Sequence, residues 1–526
     1  MKKYLQIFFC LLICLTLLLS CACKGNTNTD KDKDKDKTPS SSEQDITDSS
    51  DDGFSEDDGL GGNFSDNSSD KNDKDSSSNK EFDKYNPVGY SSHLTPVVDV
   101  KVENDKENNT ENKDDEEEKE DGVFTDSVKY PNSVNADALN KTDLFNAYDT
   151  ALFTEKIWEG KTVYYETICF EEDKNGFIST ANLLYEPDQI IAVRSADMTV
   201  TYSEGKDYTV NGRVVTRPRG SNAPYLDYQD SGFFVPWVQG ASRTYQLAAD
   251  PTRAIYFHKD GKVLQKCIVT VFYTHKDGWR GNTMPESQED ELPDALDKLK
   301  NGKDFKIVFY GDSVTAGYTA SGNKEDRRNL NGKFVTHNPA NTYPPYVSAY
   351  PSMVTEALKA KFPDAKITKV NAAAPSAQSG DQYGTTYVNL VTQENPDVAV
   401  IAFGGNDHSR ITTIYKNNIS KIVEKIHEAN PKCEFILVPY MLPNMDLLTY
   451  TKSESTGQFD AMERILYEIQ KEYSDYHIAV IPTTSLWRDF YALGKKPSDY
   501  LAALDNHPND WGQSIYAQLV LNAFGL

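Results

Sequence analysis

Cysteine is scarce, with seven in 526 residues. Cys10, Cys14 and Cys21 fall at the extreme N-terminus, and the remaining Cys23, Cys169, Cys267 and Cys433 are no disulfide framework. Cys169 and Cys267 sit in apolar stretches of one region; one bridge between them or two buried thiols are both open, and two thiols are the better reading. Histidine is as sparse, with eight. No Cys/His pair has metal-ligand spacing, which argues against a structural zinc and leaves few general bases to choose from. Positive charge is also short: 55 Lys and Arg face 80 Asp and Glu, for a net charge of −25. An acidic chain repels phosphate backbones, so nucleic acid is excluded as a partner. Long apolar runs are missing too, save the stretch from Tyr4 to Leu19.

That stretch follows Met1-Lys2-Lys3 and ends in Leu18-Leu19-Ser20-Cys21, the three parts of an export signal over residues 1–20. It is short for a membrane span, and small residues at its end fit cleavage. Residues 21–122 are Asp, Lys, Ser, Asn and Glu. From Lys24 to Gly122 there are 13 Lys, no Arg and 30 Asp plus Glu, which is −17 of the net charge. Too few apolar residues are present to repay ordering, so this segment reads as a disordered acidic tether.

From 123 to 301 the pattern is short β-branched and aromatic runs, such as Thr162–Phe170, Met198–Tyr202 and Cys267–Thr274, broken by turn signals at Asp173–Gly176, Glu204–Asp207, Asn211-Gly212 and Lys259–Gly261. We read an all-β sandwich, jelly-roll-like. Its aromatics, Tyr225, Tyr228, Phe233, Phe234 and Trp237, are better explained as core than as a sugar platform. From 302 to 526 apolar strands alternate with helical periods, the pattern of an α/β domain with a parallel sheet. Strands are expected at 306–310, 367–370, 398–403, 435–439 and 478–481, and helices at 346–361, 413–429, 458–473 and 511–522.

Three blocks in this last region carry chemistry. Gly311-Asp312-Ser313 ends the first strand, where a serine can present its hydroxyl beside backbone N–H groups. Phe403-Gly404-Gly405-Asn406-Asp407 ends the third, where two glycines admit a ligand and Asn406 can aim an amide at an oxyanion. Asp505-Asn506-His507-Pro508-Asn509-Asp510 puts a histidine on a loop just before a helix, beside carboxylates, as a general base requires. Asn371 to Ser376 is a further loop at the same sheet edge.

Serine first, a glycine-rich Asn turn in the middle and a loop His last is the order of the SGNH, or GDSL, hydrolases, which the chain resembles across about 220 residues. The resemblance implies a three-layer α/β/α domain. It implies Ser313 as nucleophile, His507 as base, and Asn406 with the Ser313 and Ser376 backbone N–H groups as oxyanion donors. Two departures stand out. Ser376 occupies a position where the family often has glycine, and the family's acid, usually three residues before the His, would fall on Leu504. Asp505, two before, shares a face with His507 if the loop is extended and would then reach the ring; otherwise a main-chain carbonyl holds it.

The implied reaction is acyl transfer without metal or cofactor. Leu18-Leu19-Ser20-Cys21 likewise resembles a bacterial lipobox, which implies lipidation of Cys21 and a membrane anchor on the outer face of the cell. A β-domain ahead of an SGNH domain on an exported lipoprotein is similar to carbohydrate esterases, so the substrate expected is an acylated, specifically acetylated, polysaccharide. Tyr318, Arg410 and Trp511 follow the motifs closely and are candidates for lining the acyl or sugar pocket. Two other readings stay open: an inactive glycan-binding or adhesion lipoprotein, and an esterase acting on the cell's own wall polymers.

Overall fold

The computed structural model describes residues 149–258, 261–451 and 458–526, so the expectations for the export signal, Cys21 and the tether lie outside the described residues. In the β-rich region, β1 (Thr162–Cys169), β2 (Pro187–Ser195) and β3 (Ile268–His275) form an antiparallel sheet in the order β1-β3-β2. Two further three-stranded antiparallel sheets follow, one from Ala181–Asn182, Val214–Thr216 and Thr209–Asn211, the other from Phe234–Pro236, Arg253–Tyr256 and Thr244–Gln246. The expected strand at 198–202 is instead a turn that leaves β2. Met198 has a φ of 66°, and the Asp197 carboxylate accepts the Thr199 N–H at 3.1 Å. This side chain-to-backbone bond competes with a ladder. Cys169 and Cys267 are free thiols, and burial pushes the Cys267 thiol up to about 11. Phe233 is fully buried and Tyr225 and Phe234 pack against the core, as the core reading requires, whereas Tyr228 and Trp237 are half-buried and lie outside it.

Beyond helix α1 (Pro293–Lys300) run five parallel strands: β4 (Asp304–Gly311), β5 (Lys366–Asn371), β6 (Val398–Ala402), β7 (Glu434–Leu437) and β8 (Ile478–Val480). Their order is β5-β4-β6-β7-β8. Helices α2 (Tyr350–Lys361), α3 (Thr412–Ala429), α4 (Gln458–Glu472), α5 (Thr483–Ala492) and α6 (Asp510–Ala523) cover the two faces. Because successive strand residues point to opposite faces, Val308, Tyr310, Ala399, Ile401 and Leu437 share a core with Ile419, Ile422 and Ile426 of α3 and Met462, Leu466 and Ile469 of α4. Ile307, Phe309, Val398, Val400 and Ile436 belong to the opposite core, with Met353 and Leu358 of α2, Phe490 of α5 and Ile515 and Leu519 of α6. The result is three layers, helices on both faces of a parallel sheet.

The second core also contains Val163, Tyr165, Ile168 and Val271. The β-rich region therefore packs on the α/β layers through continuous apolar side chains. A buried ion pair lies at this junction: Lys495 Nζ is 2.9 Å from Glu166 Oε1 and 3.7 Å from Asp499 Oδ2. Glu166 also accepts the Tyr273 hydroxyl at 2.6 Å, and Asp499 accepts the Cys169 N–H at 2.7 Å. With these partners the desolvated charges are compensated.

Candidate active site

The chain leaves central β4 for β5 on one side and returns to β6 on the other. In an open α/β sheet such a reversal opens a crevice at the carboxyl ends of the strands. Three loops meet there, those after β4, β5 and β6. Gly311 ends β4 where no side chain fits: a Cβ would lie 2.3 Å from the Ala402 carbonyl at the end of β6. Ser313 follows at the head of a helical turn, closed by Ala316 N–H donating to the Asp312 carbonyl at 2.9 Å and Tyr318 N–H to the Ser313 carbonyl at 2.9 Å.

Asp312, buried beside Ser313, ties two of the loops together. Its carboxylate accepts the Val314 N–H at 3.1 Å and, from the glycine turn after β6, the Gly405 N–H at 3.3 Å. Burial pushes this carboxyl up to about 7, against the pull of the Val314 N–H and of His507. Asp407 ties the third loop: it accepts the Ser379 hydroxyl at 2.7 Å and the Ser379 N–H at 3.1 Å. Burial raises its carboxyl as well.

His507 Nε2 lies 2.9 Å from Ser313 Oγ, and His507 Nδ1 lies 3.2 Å from Asp505 Oδ2. A carboxylate can only accept, so the proton belongs on Nδ1, which leaves Nε2 to accept from the Ser313 hydroxyl. All three side chains are buried. Asp505 reaches the ring, but not from an extended loop. Leu504 has a φ of 58° and the Ala502 N–H donates back to the His507 carbonyl at 2.9 Å. Within this bend Asp505 Oδ1 accepts the His507 N–H at 3.2 Å. This is an Asx-type turn, and it brings the carboxylate to the imidazole from two residues away.

Asn406 sits on the loop after β6 with its amide donating to the Ala377 carbonyl at 2.9 Å, which joins it to the loop that carries Ser376. Ser376 is exposed with a φ of 61°, the left-handed region that favours glycine. Tyr318 lies against His507, ring centroids 4.9 Å apart. Arg410 donates to Gln378 Oε1, two residues beyond Ser376. Trp511 corrects an expectation: it is fully buried, stacked on Phe490 at 5.4 Å beneath Lys495, so it lines no surface a substrate touches.

Sequence reasoning missed three residues. The Tyr440 hydroxyl donates to the Asn506 carbonyl at 2.5 Å. Asn444 donates its backbone N–H to the Asp505 carbonyl at 2.7 Å and its side-chain amide to the Leu504 carbonyl at 2.8 Å. Both residues belong to the loop after β7, whose place at the same sheet end was the available signal. The third, Phe257 of the β-rich region, lies 5.7 Å from the His507 ring at an angle of 20°. Nothing in the local sequence marks it.

Residues 309–515 match the GDSL-like lipase/acylhydrolase family model. No curated protein matches the sequence. Among solved structures, the chain is similar to a two-domain esterase active on acetylated mannans, at 20% identity and a TM-score of 0.33 over 46% of this chain and 54% of that one. The similarity therefore spans about half of that esterase. It is also similar to the acetylxylan esterase Axe2 from Geobacillus stearothermophilus, at 19% identity and a TM-score of 0.32 over 42% of this chain and 94% of that one. The family match takes in the serine turn, the Gly-Asn turn and the His loop that meet in one crevice, and residues 309–515 are thus similar to a GDSL-like lipase/acylhydrolase domain.

Proposed function

We propose that this protein is an exported, lipid-anchored serine esterase that removes acetyl groups from a polysaccharide outside the cell. The observation that carries the mechanism is the chain of contacts Ser313 Oγ, His507 Nε2, His507 Nδ1, Asp505 Oδ2, at 2.9 and 3.2 Å. His507 takes the Ser313 proton as Oγ attacks the ester carbonyl, and Asp505 holds the imidazole in the tautomer that does so. The oxyanion is held by the Asn406 amide and by the Ser313 and Ser376 N–H groups, donors fixed before reaction. Water, activated by the same imidazole, then releases the acid. Export and anchoring rest on the N-terminal sequence: the apolar run and Cys21.

The test is acetate release from acetylated xylan by the full chain and by Ser313→Ala. Wild type releases acetate and Ser313→Ala does not. Equal release by both proteins would remove Ser313 from the mechanism, and none by wild type from any acetyl ester would remove the esterase.

A further inference from the structure

We infer that Phe257 of the β-rich region and Tyr318 of the nucleophile's turn form the subsite for the leaving alcohol, and that the alcohol they select is a pyranose ring. This inference rests on the esterase reading and adds to it which side of the site holds the sugar and which residues recognise it.

The geometry of acyl transfer divides the crevice. When Ser313 Oγ bonds to the carbonyl carbon, the carbonyl oxygen turns toward Asn406 and the loops after β5 and β6. The ester oxygen must instead lie within reach of His507 Nε2, because as the C–O bond to the alcohol breaks, the proton taken from Ser313 passes from Nε2 to that oxygen. The acyl group stays on Oγ. The alcohol therefore occupies the space beside the imidazole, away from Arg410 and Gln378.

Two aromatic rings border that space. Tyr318 lies 4.9 Å from the His507 ring and Phe257 5.7 Å, and the two lie 6.5 Å from each other at an angle of 35°. Both are half-buried, so each retains accessible surface, while the imidazole that each of them meets is buried. A pyranose offers C–H faces that pack on aromatic rings and hydroxyls that stay in water, whereas a long alkyl alcohol gains little from a flat face.

Phe257 is held ready for this role. It follows the central strand of its sheet, its N–H donates to the Arg243 carbonyl at 2.7 Å, and Tyr245 meets its ring at 6.5 Å. A few residues on, Gly261 sits where a Cβ would lie 2.5 Å from the Tyr343 hydroxyl and 3.3 Å from both the Thr319 carbonyl and Ala502. Gly261 is thus wedged between the nucleophile's turn and the base loop, and the Phe257 ring is placed before any ligand arrives by its bond to Arg243 and its contact with Tyr245.

The test compares kcat/KM on acetylated xylo-oligosaccharide with kcat/KM on ethyl acetate, for the full-length wild type, Phe257→Leu and Phe257→Trp. Leucine keeps the apolar bulk without the flat face, so Phe257→Leu should lose about threefold to tenfold more on the oligosaccharide than on ethyl acetate, as a rise in KM. Phe257→Trp should retain the oligosaccharide preference. Equal fractional losses on the two esters would mean that Phe257 only props the imidazole, and no loss on either would mean that it contacts nothing; either result overturns the subsite. A wild type inert on both esters would overturn the esterase reading, and the subsite with it.

Discussion

In the proposed mechanism Ser376 donates through its backbone, so its side chain can be spared. Its φ of 61° is a conformation that a Cβ resists by about 1–2 kcal/mol. Ser376→Gly should therefore raise the thermal midpoint and leave kcat within about threefold, since the N–H survives. A loss of turnover like that of an oxyanion-donor deletion would show that the hydroxyl takes part. Asn406 differs, because its donor is in the side chain: Asn406→Ala should lower kcat by about 10²–10³-fold. Asp505 both accepts the ring Nδ1–H and closes the turn that aims it. Asp505→Ala should lower kcat by about 10²–10⁴-fold with KM nearly constant; a change under threefold would transfer the orienting role to the main chain.

At the scale of elements, the base is held by a loop rather than by its own helix. Asn444 and Tyr440, both after β7, secure three consecutive carbonyls of the base loop, those of Leu504, Asp505 and Asn506. Asn444→Ala should lower kcat with KM little changed, because it loosens the imidazole without touching substrate. Recovery in Asn444→Asp is not expected, as a carboxylate cannot donate to the Leu504 carbonyl.

The parallel strands were legible because both faces are covered and each reads as an apolar run, and α3 and α4 because their periodicity is long. Helix α1 was missed since only Ala295, Leu296 and Leu299 are buried in eight residues, a pattern too short to stand out. Ser313, Asn406 and His507 were legible because each sits in a motif next to a strand or helix end. Asp505 was left open because its reach depends on a left-handed Leu504, which no residue preference announces. Phe257 was invisible because its proximity to His507 comes from tertiary packing between segments some 250 residues apart in the chain.

On the scale of the whole molecule, the β-rich region is part of the catalytic body. Thr167 of β1 accepts from the Asn509 amide at 3.3 Å, and Ala248 N–H donates to the Asp446 carbonyl at 2.9 Å, so the region grips the base loop and the loop that holds it. Lys495→Ala should cost about 3–5 kcal/mol, since it strands the buried Glu166 and Asp499 carboxylates, and urea unfolding of the variant should still show one transition for the two regions. A separate transition for the hydrolase domain would contradict the shared core.

Stability should also follow pH in a fixed direction. Burial pushes the carboxyls of Asp312 and Glu434 up to about 7, so between the ordinary carboxylate range and about 7 the folded chain binds more protons than the unfolded one. Unfolding free energy then falls as pH rises through that window and levels off above it. Thermal midpoints should be higher at pH 5 than at pH 8, and Glu434→Gln should flatten the difference. A rise in stability from pH 5 to pH 8 would contradict the burial of these groups.

In the proposed mechanism Ser313 bears the acyl group between two half-reactions. The most direct measurement is rapid mixing of the full chain with p-nitrophenyl acetate, followed by acid quench and peptide mass analysis. Wild type should give a burst of one p-nitrophenol per active site and one acetyl mass on the peptide containing Ser313, both absent in Ser313→Ala; an acetyl group on another residue, or turnover that survives in Ser313→Ala, would remove Ser313 as the acyl carrier.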